Sequence, residues 1–229
     1  MRLVAAVPLF AAILATGCSG FSERAHETVH QSIAGVPAVV RIDNVAGSVR
    51  VDGSPRAAVD VEATKFASGE TELRSIHIDV RKEGNDVVVA TSYEGGTHGG
   101  GVRYRITVPS AAAVRIDNVA GAVDVAGVGG DLSVETQAGR ITADCGRVEG
   151  NRSIDLDATT GAVDLTIARD SNATVEAHST VGHISSDLSE IAAQRENFVG
   201  ANATGKIGTG SARIRLTTTT GAISLRTHT

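Results

Sequence analysis

The stretch VRIDNVAG occupies residues 40–47 and returns unchanged at 114–121. Extended to fourteen residues, VRIDNVAGSVRVDG (40–53) and VRIDNVAGAVDVAG (114–127) agree at 11 positions. Each copy alternates apolar and polar residues, meets a glycine, and alternates again. That is the pattern of two short half-buried strands joined at a sharp corner. Glycine suits the corner because it adopts positive φ without a side-chain penalty.

Aligning the chain on glycine extends the frame well beyond these two copies. It reads apolar-x-apolar-x-x-x-x-Gly-x-apolar, and it falls at Gly47, Gly121, Gly139, Gly161, Gly182, Gly205 and Gly221, with the second apolar position weakened to Ala177 and Gly200 in the frames of Gly182 and Gly205. Seven residues before each glycine stand Val40, Val114, Leu132, Ile154, Val175, Phe198 and Ile214. Two residues after stand Val49, Val123, Ile141, Val163, Ile184, Ile207 and Ile223. From Gly121 onward the glycines are 18, 22, 21, 23 and 16 residues apart. A motif recurring at about 20 residues indicates supersecondary units stacked in one dimension.

The expected fold is therefore all-β: a single-stranded β-solenoid of about 20-residue coils with glycine corners. The same alternation permits a β-sandwich of antiparallel hairpins as the alternative. A solenoid interior filled by Ile, Leu and Val columns is narrow, which accords with 3% aromatic residues and no Trp. Between the first two frames the pattern is less regular. AAVDVEAT (57–64), SIHIDVR (75–81), DVVVATS (86–92) and VRYRITVP (102–109) alternate as strands, while GETELRS (69–75) and SEIAAQREN (189–197) could each hold a short helix. One domain is expected over 36–229, with an irregular β part at 36–109 and regular repeats at 110–229.

The first residues give an address. Met1 and Arg2 precede an apolar run of thirteen residues, too short to span a bilayer, and Thr16-Gly17-Cys18 follows. Residues 1–17 read as a lipoprotein signal peptide, and Ala15-Thr16-Gly17-Cys18 resembles a bacterial lipobox in which Cys18 is lipidated. Each buried acyl CH₂ contributes about 0.8 kcal/mol, so several chains on one cysteine anchor a domain firmly. Ser19 after the cysteine resembles the outer-membrane default of Gram-negative lipoproteins. Residues 18–35 read as a polar tether. With Cys18 acylated, Cys145 has no disulfide partner and is expected to be a small buried hydrophobe.

The tether contains His26-Glu27-Thr28-Val29-His30, which fits the zinc-binding H-E-x-x-H pattern. That chemistry needs both histidines on one face of a docked helix with a third ligand. The surroundings are polar and offer no apolar stripe, so the match is read as coincidence. EGGTHGGG (94–101) lacks the Lys-Ser/Thr of a phosphate cradle.

The order of these motifs resembles a bacterial family, the putative adhesins, whose β-strand-repeat members have no assigned function and are related to head domains called GIN. The resemblance rests on VRIDNVAGSVRVDG, YRITVPSAAAVRIDNVAGAVDV and TTTTGAISLRT. It implies a β-solenoid on the cell envelope with an adhesive or scaffolding role, and it carries over no catalytic residue or cofactor.

One column of residues is chemically suggestive. Four before each glycine, facing outward by parity, stand Asp43, Asp117, Glu135, Asp157 and His178. On successive coils Asp117, Glu135 and Asp157 would form a carboxylate ladder that a cation or a ligand could neutralise. Arg115, Arg140, Arg147 and Arg152 are the expected counter-charges. A carbohydrate-active β-helix would use such a column, and a regulatory envelope-stress lipoprotein is a further reading. A net charge of −5 argues against nucleic acid as a partner. A protein or polysaccharide on the solenoid face and the membrane through the lipid are the expected partners. Few aromatic rings are available to stack on sugars.

Overall fold

The computed structural model describes residues 23–95, 99–196 and 199–228. The signal segment 1–17 and Cys18 lie outside these. The chain opens with β1 (Ala25–Ala34), β2 (Val39–Ala46), β3 (Val49–Ser54) and β4 (Ala58–Ala67). A five-residue helix, α1 (Glu70–Arg74), leads to β5 (Ile76–Glu83), β6 (Asp86–Tyr93) and β7 (Gly100–Pro109). The repeats follow as β8 (Ala113–Ala120) and β9 (Val123–Ala126), then β10 (Leu132–Ala138) and β11 (Ile141–Asp144), then β12 (Ser153–Thr160) and β13 (Val163–Ala168). The chain ends with β14 (Ala173–Val181), β15 (Ile184–Ser186), β16 (Ala192–Glu196), β17 (Gly200–Ile207), β18 (Ala212–Thr220) and β19 (Ile223–His228).

Each strand–glycine–strand frame places its two strands in different sheets. The nine-stranded sheet runs β1-β4-β7-β3-β9-β11-β13-β19-β15, and the ten-stranded sheet runs β16-β17-β14-β18-β12-β10-β8-β2-β6-β5. Within the body the rungs are parallel and in register, as in Leu132↔Val114 and Leu132↔Ile154. This is the β-solenoid, and the parallel stacking excludes a sandwich of antiparallel hairpins. Among the described residues, antiparallel pairs occur only towards the two ends, at β1–β4–β7, β5–β6 and β14–β17–β16.

The repeated octapeptide now has its explanation. β2 and β8 are neighbouring rungs, with Val40↔Val114, Ile42↔Ile116, Asp43↔Asp117 and Asn44↔Asn118 directly paired. Identical residues stack on themselves because neighbouring rungs offer identical environments. The inward columns are fully buried: Ile42, Ile116, Ile154, Leu156, Ile214 and Leu216 expose 0–1% of their surface. A typical rung buries about four such side chains, each contributing about 1.5–3 kcal/mol against the cost of ordering the chain.

The corner glycines form a spine. A Cβ on Gly161 would lie 1.8 Å from the carbonyl oxygen of Gly139, and one on Gly139 would lie 2.0 Å from that of Gly121. Close approach of backbone from the next rung therefore demands glycine here as firmly as the positive φ of +148° at Gly161 does.

Rung order differs from chain order at two places. Near the N-terminal end the β2–β3 coil lies between β6–β7 and β8–β9. The C-terminal coil β18–β19 does not stack on the coil before it in sequence. It inserts between β12–β13 and β14–β15, pairing with both. β17 and β18 flank β14 on either side. The frame expected at Gly205 is absent: Gly205 lies inside β17, opposite Val175 in an antiparallel ladder.

Two further expectations change. The segment read as a tether is a strand from Ala25 onward, with all ten residues of β1 paired to β4. Its side chains are mostly exposed, so backbone pairing rather than an apolar pattern recruits it. Of the two possible helices, 69–75 forms α1, which buries Leu73. Residues 192–196 instead add to the sheet as β16, antiparallel to β17.

Candidate functional site

The acidic column stands on the outer face of the ten-stranded sheet, held by β2, β8, β10 and β12. Register places Asp43 against Asp117, Asp117 against Glu135, and Glu135 against Asp157. Neighbouring rungs are about 4.8 Å apart, a spacing at which like charges repel by about 1–3 kcal/mol per pair at effective dielectric constants between water and 20. The carboxyls respond. Partial burial, then the charge on Asp117, pushes the Asp43 pKa above the ordinary carboxylate value. Partial burial, then Glu135 and Asp155, does the same to Asp157.

Beside Asp43, Asp117 and Glu135 the surface sinks into an open depression of ≈ 460 Å³, which Asn44, Thr91 and Arg115 also line. Arg115 pairs with Asp117 across 3.3 Å on the same strand. The other three expected counter-charges lie elsewhere. Arg140 lies at the corner before β11 and pairs at 2.6 Å with Asp164 of the nine-stranded sheet, and Arg147 pairs with Glu149 and Asp170. Arg152 is 8% exposed and donates to three carbonyls, those of Gly130, Cys145 and Val128, at 2.8, 3.1 and 2.6 Å. It clamps the loops of adjacent coils and never reaches the column. His178 is also displaced from its expected place, because Thr217 of the inserted coil stands between it and Asp157. His178 hydrogen-bonds Asn202 instead.

The column is linear, each carboxylate lying beside those on the adjacent rungs. Among the described residues no three His, Cys, Asp or Glu side chains are placed to hold a metal ion. The H-E-x-x-H residues lie on the extended β1, where positions four apart are separated by about 13 Å. One ion cannot bridge His26 and His30 at that span. Cys145 is buried, and that burial pushes its thiol pKa up to about 11, which removes it as a nucleophile. Tyr104 is 2% exposed and Phe66 lies under the Arg103 guanidinium, so neither ring presents a free face to a sugar.

Beneath the column runs a polar seam that the sequence reading passed over. Asn118 donates to the Gly121 carbonyl at 3.0 Å and accepts from Asn44 at 3.1 Å. Asn44 also accepts from Thr91, whose hydroxyl lies 2.7 Å from that of Tyr104. These side chains hold the spine carbonyls and the floor of the depression. The signal was present: by alternation from Val40 and Ile42, Asn44 must face inward, where an unpaired amide is costly.

The comparisons with known proteins agree with this architecture. The family model described as Toastrack DUF4097 matches residues 100–226. No curated protein matches the chain. Among solved structures, a putative cell adhesion protein from Clostridium sporogenes aligns with a TM-score of 0.66 at 11% identity, covering 89% of this chain and 100% of its own. A putative adhesin from Bacteroides fragilis aligns at 12% identity over 88% of this chain and 97% of its own, with a TM-score of 0.33. The likeness in fold rests on the first.

Proposed function

The chain belongs to the Toastrack DUF4097 family, and from that premise we propose that it is a lipid-anchored protein of the bacterial envelope. Its solenoid face binds a macromolecular partner and performs no chemistry of its own. The observation that carries this reading is the outer face of the ten-stranded sheet. It is an in-register array of exposed charges around an open depression, with its carboxylates in a line rather than converging on one point. A surface of that kind suits recognition of an extended partner by many weak polar contacts. Cys18 supplies the anchor, and the outer membrane is its destination. The similar Clostridium sporogenes structure, that of a putative cell adhesion protein, supports the same class of role.

The test is capture of envelope partners by the acylated protein. We expect a protein or polysaccharide partner whose retention falls when Asp43, Asp117, Glu135 and Asp157 are replaced together by their amides. Cys18→Ala should release the protein from the membrane fraction. Hydrolysis or elimination on a polysaccharide panel, abolished by Asp157→Ala, would instead make the protein a carbohydrate-active β-helix.

A further inference from the structure

The end of the solenoid formed by the N-terminal third carries an open edge. β5 is the last strand of the ten-stranded sheet, hydrogen-bonded to β6 on one side only. The bond from the Glu94 amide to the Ser75 carbonyl fixes the parity of this pair. Ser75, His77, Asp79, Arg81 and Glu83 turn their backbone groups toward β6, so Ile78, Val80 and Lys82 turn theirs to the free edge. Side chains alternate with the same period. His77, Asp79, Arg81 and Glu83 are exposed on the outer face, while Ile78 and Val80 lean on the core and stay partly uncovered.

The sequence of this edge, His77-Ile78-Asp79-Val80-Arg81-Lys82-Glu83, is complementary to itself read backwards. We propose that β5 pairs antiparallel with β5 of a second copy, about a two-fold axis through Val80. In that register Val80 meets its own equivalent, and Ile78 meets Lys82. These are the residues whose N–H and C=O groups are free, so six backbone hydrogen bonds close across the axis. On the outer face the Asp79 carboxylate stands opposite the Arg81 guanidinium, and the His77 ring, a hydrogen-bond donor, stands opposite Glu83, each twice by symmetry. Opposite charges facing each other across an antiparallel pair are favourable, and like charges are not.

Charges on an edge strand ordinarily deter pairing. Here they select one register. Moving the axis to Lys82 sets that ammonium against itself, and moving it to Ile78 leaves Arg81 opposite Ser75. Within the isolated chain Arg81 is occupied by Asp79 and Glu83 of its own strand. The dimer shares these groups between copies and adds the backbone bonds. β1 is the edge of the other sheet at the same end, and an end-to-end dimer brings it to the same junction. This inference does not rest on the envelope reading.

Sedimentation of the full chain over a concentration series tests the proposal. We expect a dimer that dissociates on dilution. Arg81→Glu should weaken it by at least about tenfold, since one substitution sets two pairs of like charges face to face. The exchanged variant Asp79→Arg/Arg81→Asp should restore association. Both positions are exposed, and an unchanged circular dichroism spectrum verifies the fold of each variant. Val80→Cys should give an interchain disulfide, because the facing Cα atoms would lie about 5.5 Å apart. A chain monomeric at every concentration overturns the proposal. So does a dimer indifferent to Arg81→Glu, one that the exchange fails to restore, or one without the Val80→Cys crosslink.

Discussion

Replacing Gly161 by alanine isolates the physical requirement of the spine. The added Cβ would sit 1.8 Å from the Gly139 oxygen, whereas real Cβ atoms essentially never approach closer than 3.0 Å. The rungs must part by more than an ångström, out of a spacing of about 4.8 Å. Four corner bonds cross this gap or the next one: Gly139 N to Thr160 O, Ile141 N to Ala162 O, Gly161 N to Thr220 O, and Val163 N to Ala222 O, each at 2.9 Å. Weakening three or four bonds at about 1 kcal/mol each, plus about 1 kcal/mol of backbone strain at positive φ, predicts a loss of about 4–5 kcal/mol. Gly150→Ala is the control, since Gly150 has φ +70° but nothing within 4 Å of its added Cβ. It should cost only the strain, about 1 kcal/mol. Urea unfolding followed by far-UV circular dichroism measures both. If Gly161→Ala costs no more than Gly150→Ala, backbone crowding is not what selects glycine at the corners.

The carboxylate ladder should make the protein more stable in mild acid. Asp43 and Asp157 have folded pKa values raised above the unfolded ones, so their contribution is complete below the ordinary carboxylate range. It is lost as the pH rises through the raised values. Melting temperatures should therefore fall between pH 4 and pH 7 from this source, and Asp43→Asn/Asp157→Asn should raise stability at pH 7 while flattening that slope. A double variant less stable than the parent at pH 7 would contradict the ladder's strain. Arg152→Ala should cost about 3–5 kcal/mol, because three carbonyls, two of them buried, lose their donor at once. Arg152→Lys should recover only part of that, since an ammonium cannot reproduce the fork; equal stability of the two in urea melts would rule out the clamp.

The candidate face was legible because alternation is local. Asp117, Glu135 and Asp157 share a position in the frame, and parallel rungs in register must line them up. Of their expected counter-charges only Arg115 was legible, two residues before Asp117 on the same face. The other three were not, because sequence proximity to a column does not say on which sheet a side chain emerges. Arg140 follows its glycine and so turns toward the other sheet. Arg152 lies before β12, in a loop where inward and outward have no period.

What the sequence by itself determined is the rung: strand, glycine corner, strand, with its buried columns and the identity of VRIDNVAG on two neighbouring rungs. Tertiary structure alone decided which rung lies beside which. Frames that share a pattern offer nearly interchangeable backbone edges, so local preference cannot distinguish β14 from β18 as the neighbour of β12. That choice depends on closing the whole stack, including β17 and the loop that carries the chain across β14. The strand β1 was hidden for a related reason: an edge strand is recruited by the open hydrogen bonds of β4, and its own side chains need no apolar pattern.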